Sequence, residues 1–272
     1  MACLLCAAIA LACPRALAQS QAQGLALQQL EGGNLASTGT AGWNATLGIG
    51  LAAVPRYPGA SDDRARLIPL ISVSYDNLVF LSPLGLAIRA IHADGFFAGP
   101  VIGYEGSRHQ SDDPYLAGLG DIPASLTAGA FAGYAAGPWR LLITARQAVT
   151  HSMNGLEGLA ELEYHAELVP HQLTLNLGPE VSFADGQYNR TWFGVSLSQS
   201  ADSGLPVYTP GGGINAVGVH AGFVTALSAH ILVRVFGDVR RLTGDAAASP
   251  IVQRRTEGVI GVGIAYRFRA LP

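Results

Sequence analysis

Lysine is absent from the sequence, although sixteen residues are arginine. A phosphate-binding P-loop and a Schiff-base enzyme both need a lysine, so the sequence excludes both classes. The formal net charge is −3 at pH 7, whereas a nucleic-acid-binding domain carries a basic patch. We therefore expect no nucleic-acid partner.

Cysteine occurs only at positions 3, 6 and 13. All three precede the small-residue cleavage site Ala16-Leu17-Ala18, which follows a short apolar core. This pattern predicts a cleaved secretory signal peptide over residues 1–18. The exported chain then has no thiol, no disulfide and no thiolate metal site. Acylation of Cys13, as in a lipoprotein, is the alternative, but the flanking residues fit that signal poorly.

Charge and long apolar runs are both scarce. Only 13% of the residues are charged, against about 25% in ordinary soluble domains. Hydrophobic residues make up 49% of the chain, yet no run approaches the roughly 18 to 20 apolar residues of a membrane helix. The apolar residues must therefore be dispersed by alternation. The seven histidines show no ligand spacing, so we expect no metal and no cofactor.

Alternation is clearest near the end of the chain, in residues 255–268. One side of this run carries Ile260, Val262, Ile264, Tyr266 and Phe268. The other side carries Gly261, Gly263 and Ala265 between Glu257 and Arg267. Successive side chains of a strand point to opposite faces, so this pattern is typical of a membrane barrel strand with lipid outside and a polar lumen inside.

The same alternation recurs along the chain and predicts an all-β fold, a transmembrane antiparallel β-barrel of about twelve strands. The barrel is predicted over 41–268, after a periplasmic lead-in at 19–40 and before a tail at 269–272. Pro69 predicts a bulge or a frayed edge in its segment. We count thirteen candidate segments and treat the third and fourth as one kinked strand: 41–54, 65–75, 77–82, 84–91, 95–105, 125–136, 138–150, 158–169, 172–184, 190–199, 213–227, 229–241 and 254–268.

Charged side chains on the non-lipid side of these segments are candidate lumen residues. They are Arg140, Arg146, Glu161, Glu163, His165, Glu167, Arg234, Asp238, Arg240, Glu257 and Arg267. Segments 138–150 and 158–169 would be neighbours, which places an arginine-bearing face beside a glutamate-bearing face. This arrangement has two interpretations, a charge ladder between partly buried strands or a selectivity ring in a water-filled lumen.

Aromatic residues near segment ends predict the girdles that barrels carry at membrane interfaces. They are Trp43, Tyr57, Tyr75, Tyr104, Tyr134, Trp139, Tyr164, Trp192 and Tyr266. The longest connections, 106–124, 200–212 and 242–253, are expected on the extracellular side.

Several sequence blocks resemble the MipA/OmpV family of outer-membrane proteins. The blocks are Tyr57-Pro58-Gly59-Ala60-Ser61-Asp62-Asp63, Trp192-Phe193-Gly194-Val195, the stretch 203–213 and the stretch 242–252. Within them, the residues that we take as family motifs are Tyr57, Pro58, Gly59, Asp62, Asp63, Gly194, Gly212, Gly213, Gly244, Asp245, Ser249 and Pro250.

The resemblance implies a protein of the outer membrane of a Gram-negative cell, in contact with lipid and lipopolysaccharide. It implies a scaffold that links a murein transglycosylase to a penicillin-binding protein through periplasm-facing turns and the lead-in. A passive porin-like channel and a surface adhesin or antigen are the alternatives. The resemblance brings no catalytic residues, so we expect no catalytic activity.

A barrel lipid hydrolase is a remote alternative. Such enzymes place a histidine and a serine two residues apart on one strand, where both share a face. The strongest enzymatic candidate in the sequence is His151-Ser152-Met153, directly after segment 138–150, in which Met153 occupies the position that the serine would need.

Overall fold

A computed structural model describes residues 42–82, 85–150 and 155–268. The sheet contains strands β1 to β13: Trp43–Pro55, Asp63–Tyr75, Val79–Ser82, Gly85–Ile88, Ile91–Ala93, Phe96–Glu105, Ser125–Ala136, Trp139–Ala148, Leu156–Val169, Leu173–Ala184, Gly213–Ala226, Ile231–Leu242 and Thr256–Phe268. The α-helices are α1 (Gly186–Phe193), α2 (Leu197–Ser203) and α3 (Gly244–Ala248).

Antiparallel pairing closes the sheet into a barrel. Each strand pairs with its sequence neighbours, except that β4 and β5 do not pair with each other; β13 pairs with β1, and β4 pairs with β6. β4 and β5 both pair with β6, at residues 101–103 and 96–98, so they are two pieces of one interrupted strand. The wall therefore has twelve strand positions, which confirms the predicted fold and strand number.

The number twelve is reached by a different route from the one predicted. Segment 190–199 is not a strand, because it contains the end of α1 and the start of α2. Segments 77–82 and 84–91 are not one kinked strand, because β3 and β4 pair antiparallel from Val79–Ile88 to Ser82–Gly85. The two errors cancel.

Pro69 lies in a strand that pairs regularly with β1, so the bulge, one of the two alternatives predicted for this segment, is wrong. β1 and β2 pair residue by residue from Trp43–Tyr75 to Pro55–Asp63. Asp76 N donates to Gly42 O, and the direction of the backbone N–H and C=O groups alternates along a strand. The backbone groups of the even-numbered residues of β2 therefore point towards β1, and the nitrogen of Pro69 points towards β3. β3 pairs only with residues 73–75 of β2, so the missing N–H of Pro69 breaks no ladder bond there.

The two ends of the barrel differ. Connections of a few residues, at 76–78, 94–95, 137–138, 170–172 and 227–230, lie at the end where β1 begins and β13 finishes, which we call the turn end. The connections 56–62, 106–124, 185–212 and 243–255, together with residues 149, 150 and 155, lie at the opposite end, which we call the loop end.

The outer surface is an apolar band, as the alternation requires. Outward side chains that are exposed in the isolated chain include Leu47, Ile49, Leu51, Leu67, Ile102, Leu126, Leu141, Ile143, Leu162, Leu177, Val217, Val219, Phe223, Val235, Val239, Ile260, Val262 and Ile264. Exposure of this apolar surface to water would cost free energy, whereas in a bilayer the surface faces lipid. Among the described residues, the helices are too short or too polar to cross a membrane.

Aromatic side chains form a girdle at the turn end. The ring centroids of Trp43 and Tyr75 lie 4.9 Å apart with the rings tilted, and those of Trp139 and Tyr164 lie 4.9 Å apart in an edge-to-face arrangement. Tyr134, Tyr266, Phe96 and Phe268 are also exposed at this end. Tyr57 and Trp192 do not belong to a girdle, because both are almost fully buried at the loop end.

Candidate functional site

The lumen of the barrel contains a buried network of charged side chains. Arg140 donates to Glu163 at 2.8 Å, and Arg240 donates to Glu257 at 2.8 Å. Arg146 pairs with Glu157 nearer the loop end. Each pair joins neighbouring strands, so the charges on one strand compensate those on the next.

The centre of this network is rich in acid. Glu161 and Glu180 lie directly opposite each other on β9 and β10. His220 lies 3.7 Å from Glu163 and 3.5 Å from Glu180. The carboxylate oxygens of Glu161 and Asp238 receive no hydrogen bond from any residue that the structure describes, although both side chains are buried.

The remaining charged candidates lie towards the turn end. His165, Glu167 and Arg267 are exposed there, and Arg234 is half-buried. His165 Nδ1 lies 2.8 Å from Asn176 Oδ1. A small cavity of about 20 Å³ between Glu163, Asn176, His220 and Phe236 has room for about one water molecule. In the described ranges, no three acids or histidines are placed to hold a metal ion.

Apolar side chains occupy two other parts of the lumen. One cluster is formed by Phe80, Ala87, Phe97, Phe131 and Leu142, and the guanidinium of Arg89 lies over the rings of Phe80 and Phe97 at 4.9 and 5.7 Å. A second cluster is formed by Ala52, Val54, Ile68, Leu70, Phe236, Val259 and Ala265. At the level of these clusters and of the charged pairs, the described lumen is therefore packed rather than water-filled.

A folded cap covers the loop end. One core of this cap contains Tyr188, Trp192 and Phe193 of α1 together with Ile122, Ala216, Leu242 and Ala246. A second core contains Tyr57, Ala60, Leu116, Leu119, Val195 and Ile251. Asp185 caps the start of α1, and Ser196 with Gln199 forms a capping box at the start of α2, so the local sequence fixes both helices.

The family-motif residues meet in this cap, although they are far apart in sequence. The Tyr57 hydroxyl donates to Ile251 O at 3.3 Å. Gly59 N donates to Glu257 Oε2 at 2.8 Å, and Gly59 O accepts from Gln253 N and Arg254 N. Pro58 is buried beside them. The first and last blocks therefore form one unit.

Other motif residues join the third and fourth blocks. Asp245 accepts from Gly211 N at 2.6 Å, and its carbonyl accepts from the Tyr208 hydroxyl at 2.9 Å. Ser249 Oγ donates to Phe193 O at 2.6 Å, and Pro250 O accepts from the Tyr115 hydroxyl.

The motif glycines and acids have more local roles. A Cβ at Gly194 would meet Arg190 O, and one at Gly212 would meet Gly186 N. Gly244 has φ +54°, and Gly213 opens β11. Asp63 pairs with Arg254 at 2.7 Å, and Asp62 O accepts from Arg56 N.

Tyr188 links the cap to the lumen. Its hydroxyl lies 3.1 Å from Glu105 Oε1 and 3.2 Å from Glu157 Oε2. Burial, together with these two acids, raises the pKa of Tyr188 well above its ordinary value, so the hydroxyl keeps its proton as a donor. In the connection between β6 and β7, Arg108 Nη1 donates to Trp192 O of α1 at 2.8 Å, and burial lowers the pKa of Arg108 to about 10.

Several members of the network were not predicted from the sequence. Glu105 and Glu157 were not among the lumen candidates, and neither was His220. Glu105 and Glu157 lie at strand ends, where the alternation is too short to assign a face. The helices of the cap were also missed, although the Ser196–Gln199 spacing is a helix-start signal in the sequence. The hydrolase candidate of the sequence, 151–153, lies outside the described residues.

Comparison with known proteins gives one family. The family model described as MltA-interacting protein MipA matches residues 47–268. Similar solved structures include Neisserial surface protein A, with 11% identity over 85% of this chain and 99% of that chain and a TM-score of 0.29. The outer membrane channel DcaP of Acinetobacter baumannii has 7% identity over 83% and 96%, with a TM-score of 0.39.

An anion-selective porin from Comamonas acidovorans is also similar, with 11% identity over 83% of this chain and 98% of that chain and a TM-score of 0.29. These TM-scores are low, and the fold follows from the strand pairing rather than from the likeness. A comparison with curated proteins found no match.

Proposed function

The chain belongs to the MltA-interacting protein MipA family, as its sequence blocks indicated, and on that basis we propose that it is a scaffold for murein enzymes. The coarser conclusion is that it is an outer-membrane barrel protein. The finer proposal is that it binds a murein transglycosylase and a penicillin-binding protein, so that cutting and synthesis of the wall occur together.

The observation that best supports a binding role is the packed lumen. Arg140, Glu161, Glu163, Asp238 and Arg240 are all less than 9% exposed, and two apolar clusters lie beside them. Charged side chains of the wall pair with one another inside the described lumen and leave no channel there. A partner would therefore bind at one of the two ends of the barrel. This favours a scaffold over the alternative of a passive pore.

The turn end is where a periplasmic enzyme would bind. In bacterial outer-membrane barrels the short turns face the periplasm and the long loops face outward. Exposed charges at the turn end include Glu167 and Arg267, and four turn residues with positive φ hold their turns tight: Asp76, Asn77, Asp94 and His171. Short rigid turns present a fixed surface, which lowers the entropy cost of binding.

Binding of the purified barrel in lipid nanodiscs to a purified lytic murein transglycosylase tests this proposal. We expect a micromolar or tighter complex that Glu167→Arg weakens about tenfold, because a rim charge change of this kind acts on charge complementarity. The matched control is Asp202→Arg in α2 at the loop end, which should bind as the wild type does. Equal weakening by both variants, or no complex at all, would remove support for the scaffold.

A further inference from the structure

The connection between β6 and β7 contains a small antiparallel bridge. Arg108 N donates to Ile122 O at 3.0 Å, and Ile122 N donates to Arg108 O at 2.8 Å. Successive side chains of extended chain point to opposite faces. Ser107 and His109 therefore share one face, and Asp121 lies opposite His109. Arg108 and Ile122 point the other way, into the core of the cap.

Three side chains on the shared face are joined in a line. Ser107 Oγ lies 3.1 Å from His109 Nε2, and His109 Nδ1 lies 3.1 Å from Asp121 Oδ2. The second oxygen of Asp121 accepts from Gln110 N at 2.9 Å. A carboxylate at Nδ1 accepts the proton of that nitrogen, so Nε2 is left as the acceptor for the serine hydroxyl.

We propose that Ser107, His109 and Asp121 form the catalytic triad of a serine ester hydrolase. Ser107 is the nucleophile, His109 is the general base, and Asp121 is the positioning residue that orients His109. The spacing and roles are those that nucleophilic acyl transfer requires, whatever the fold that carries them.

The position of the triad points to an amphiphilic ester as substrate. The strands on either side of this connection carry the exposed apolar residues Ile102 and Leu126 on their outer faces. The triad lies just beyond them, where the lipid face ends and water begins. The side chains of His109 and Asp121 are 46% and 52% exposed, so an ester bond held at that boundary can reach them.

The reaction proceeds in two balanced steps. Ser107 Oγ attacks the ester carbonyl carbon, and its proton passes to His109 Nε2. The tetrahedral intermediate expels the alcohol, which takes that proton from His109, and leaves an acyl-serine. Water then attacks the acyl-serine by the same route, which releases the carboxylic acid and restores the Ser107 hydroxyl.

Asp121 is suited to its part in this reaction. The hydrogen bond from Gln110 N and then the bond from His109 hold the pKa of Asp121 below its usual range. The carboxylate therefore stays ionised at neutral pH. The activity departs from the expected absence of catalysis, and it stands independently of the scaffold proposal.

The test uses the full chain, purified and folded in detergent, with a fluorophosphonate probe and nitrophenyl esters of increasing acyl length. We expect one phosphonylated residue, Ser107, and hydrolysis that Ser107→Ala and His109→Gln reduce to background. Ser111→Ala, in the same connection, is the matched control and should label and hydrolyse as the wild type does. Heat-shifted migration on gels checks that each variant is folded.

Asp121→Asn distinguishes a positioning role from a structural one. We expect kcat to fall about 10²- to 10⁴-fold, as for other triads. KM should change little, because Asp121 contacts His109 and not the ester. A folded wild type that gives no adduct on Ser107, or hydrolysis that survives Ser107→Ala, overturns the proposal. A kcat that stays at the wild-type value in Asp121→Asn, or a loss that appears in KM alone, overturns the role of Asp121.

Discussion

Gly59 shows how tightly single residues hold the cap on the barrel. Its φ of +87° is in the left-handed region, and a Cβ there would lie 2.7 Å from Val252. Its N–H donates to Glu257, the same buried carboxylate that Arg240 binds in the lumen. One backbone position therefore connects the first family block, the last family block and the charged network.

Gly59→Ala should destabilise the protein by about 2–4 kcal/mol, since left-handed strain costs roughly 1 kcal/mol and a close contact adds about 1–3. The measurement is the free energy of urea unfolding in detergent, followed by the fluorescence of buried Trp192.

Gly204→Ala is the matched control for that substitution. Gly204 has φ +76°, but a Cβ at this position would have no neighbouring atom within 4 Å, so only the left-handed strain applies. We expect a loss of about 1 kcal/mol. Equal losses in the two variants would mean that the contact with Val252 relaxes at no cost.

At the residue scale, the sequence predicted which positions matter in the cap but not how they meet. Tyr57 and Ile251 are bonded across 194 residues, and Ser249 and Phe193 across 56. Spacing along the chain carries no information about such contacts. The Ser107–His109 pair was accessible in principle, because the two residues are two apart, but Asp121 joins them only through the bridge of Arg108 with Ile122.

Strand β9 carries two buried glutamates in different surroundings. Glu163 receives a hydrogen bond from Arg140, whereas the oxygens of Glu161 receive none from the described residues, and Glu180 lies opposite. Burial removes water from both carboxylates, which costs free energy. Only at Glu163 is this cost offset by an opposite charge within hydrogen-bonding distance.

Glu163→Gln should lower the free energy of unfolding by about 1.5–3 kcal/mol, the usual contribution of a hydrogen bond to a charged group. Glu161→Gln, two residues away on the same face, should leave stability unchanged or raise it by about 1 kcal/mol, because a desolvated charge is removed. Urea unfolding of both variants at neutral pH makes the comparison. A larger loss in Glu161→Gln than in Glu163→Gln would show that Glu161 has the stronger partner.

Elements with long alternation were predictable and short ones were not. β13 and β12 alternate over a dozen residues, so their faces follow from the sequence. The stretch 190–199 alternates too, but over a length that a helix end can mimic. The caps at Asp185 and Ser196 start the two helices that overlap this stretch. A cap is a single residue at a helix start, so it cannot be detected from hydrophobic periodicity.

Two features block passage through the barrel: the side chains packed in its lumen and the cap over its loop end. The apolar clusters lie inside the lumen, and the cap lies over the loop end. The Tyr188 hydroxyl joins the cap to β6 and β9 through Glu105 and Glu157, and Arg108 joins two segments of the cap through Trp192 O. A twelve-stranded barrel is wide enough for a channel, so the side chains, and not the strand number, decide whether ions pass.

The purified protein in planar lipid bilayers should therefore show no conductance steps as large as those of an open barrel of this width. Replacement of 186–212 by a two-residue turn should leave it closed, because the lumen remains packed below the cap. Such a turn is compatible with the wall, since Ala184 and Gly213 are already paired. Conductance in the shortened variant alone would show that the cap is the seal. Conductance in the wild type would favour a pore, because a lumen that is filled by side chains leaves no path for a steady ion current.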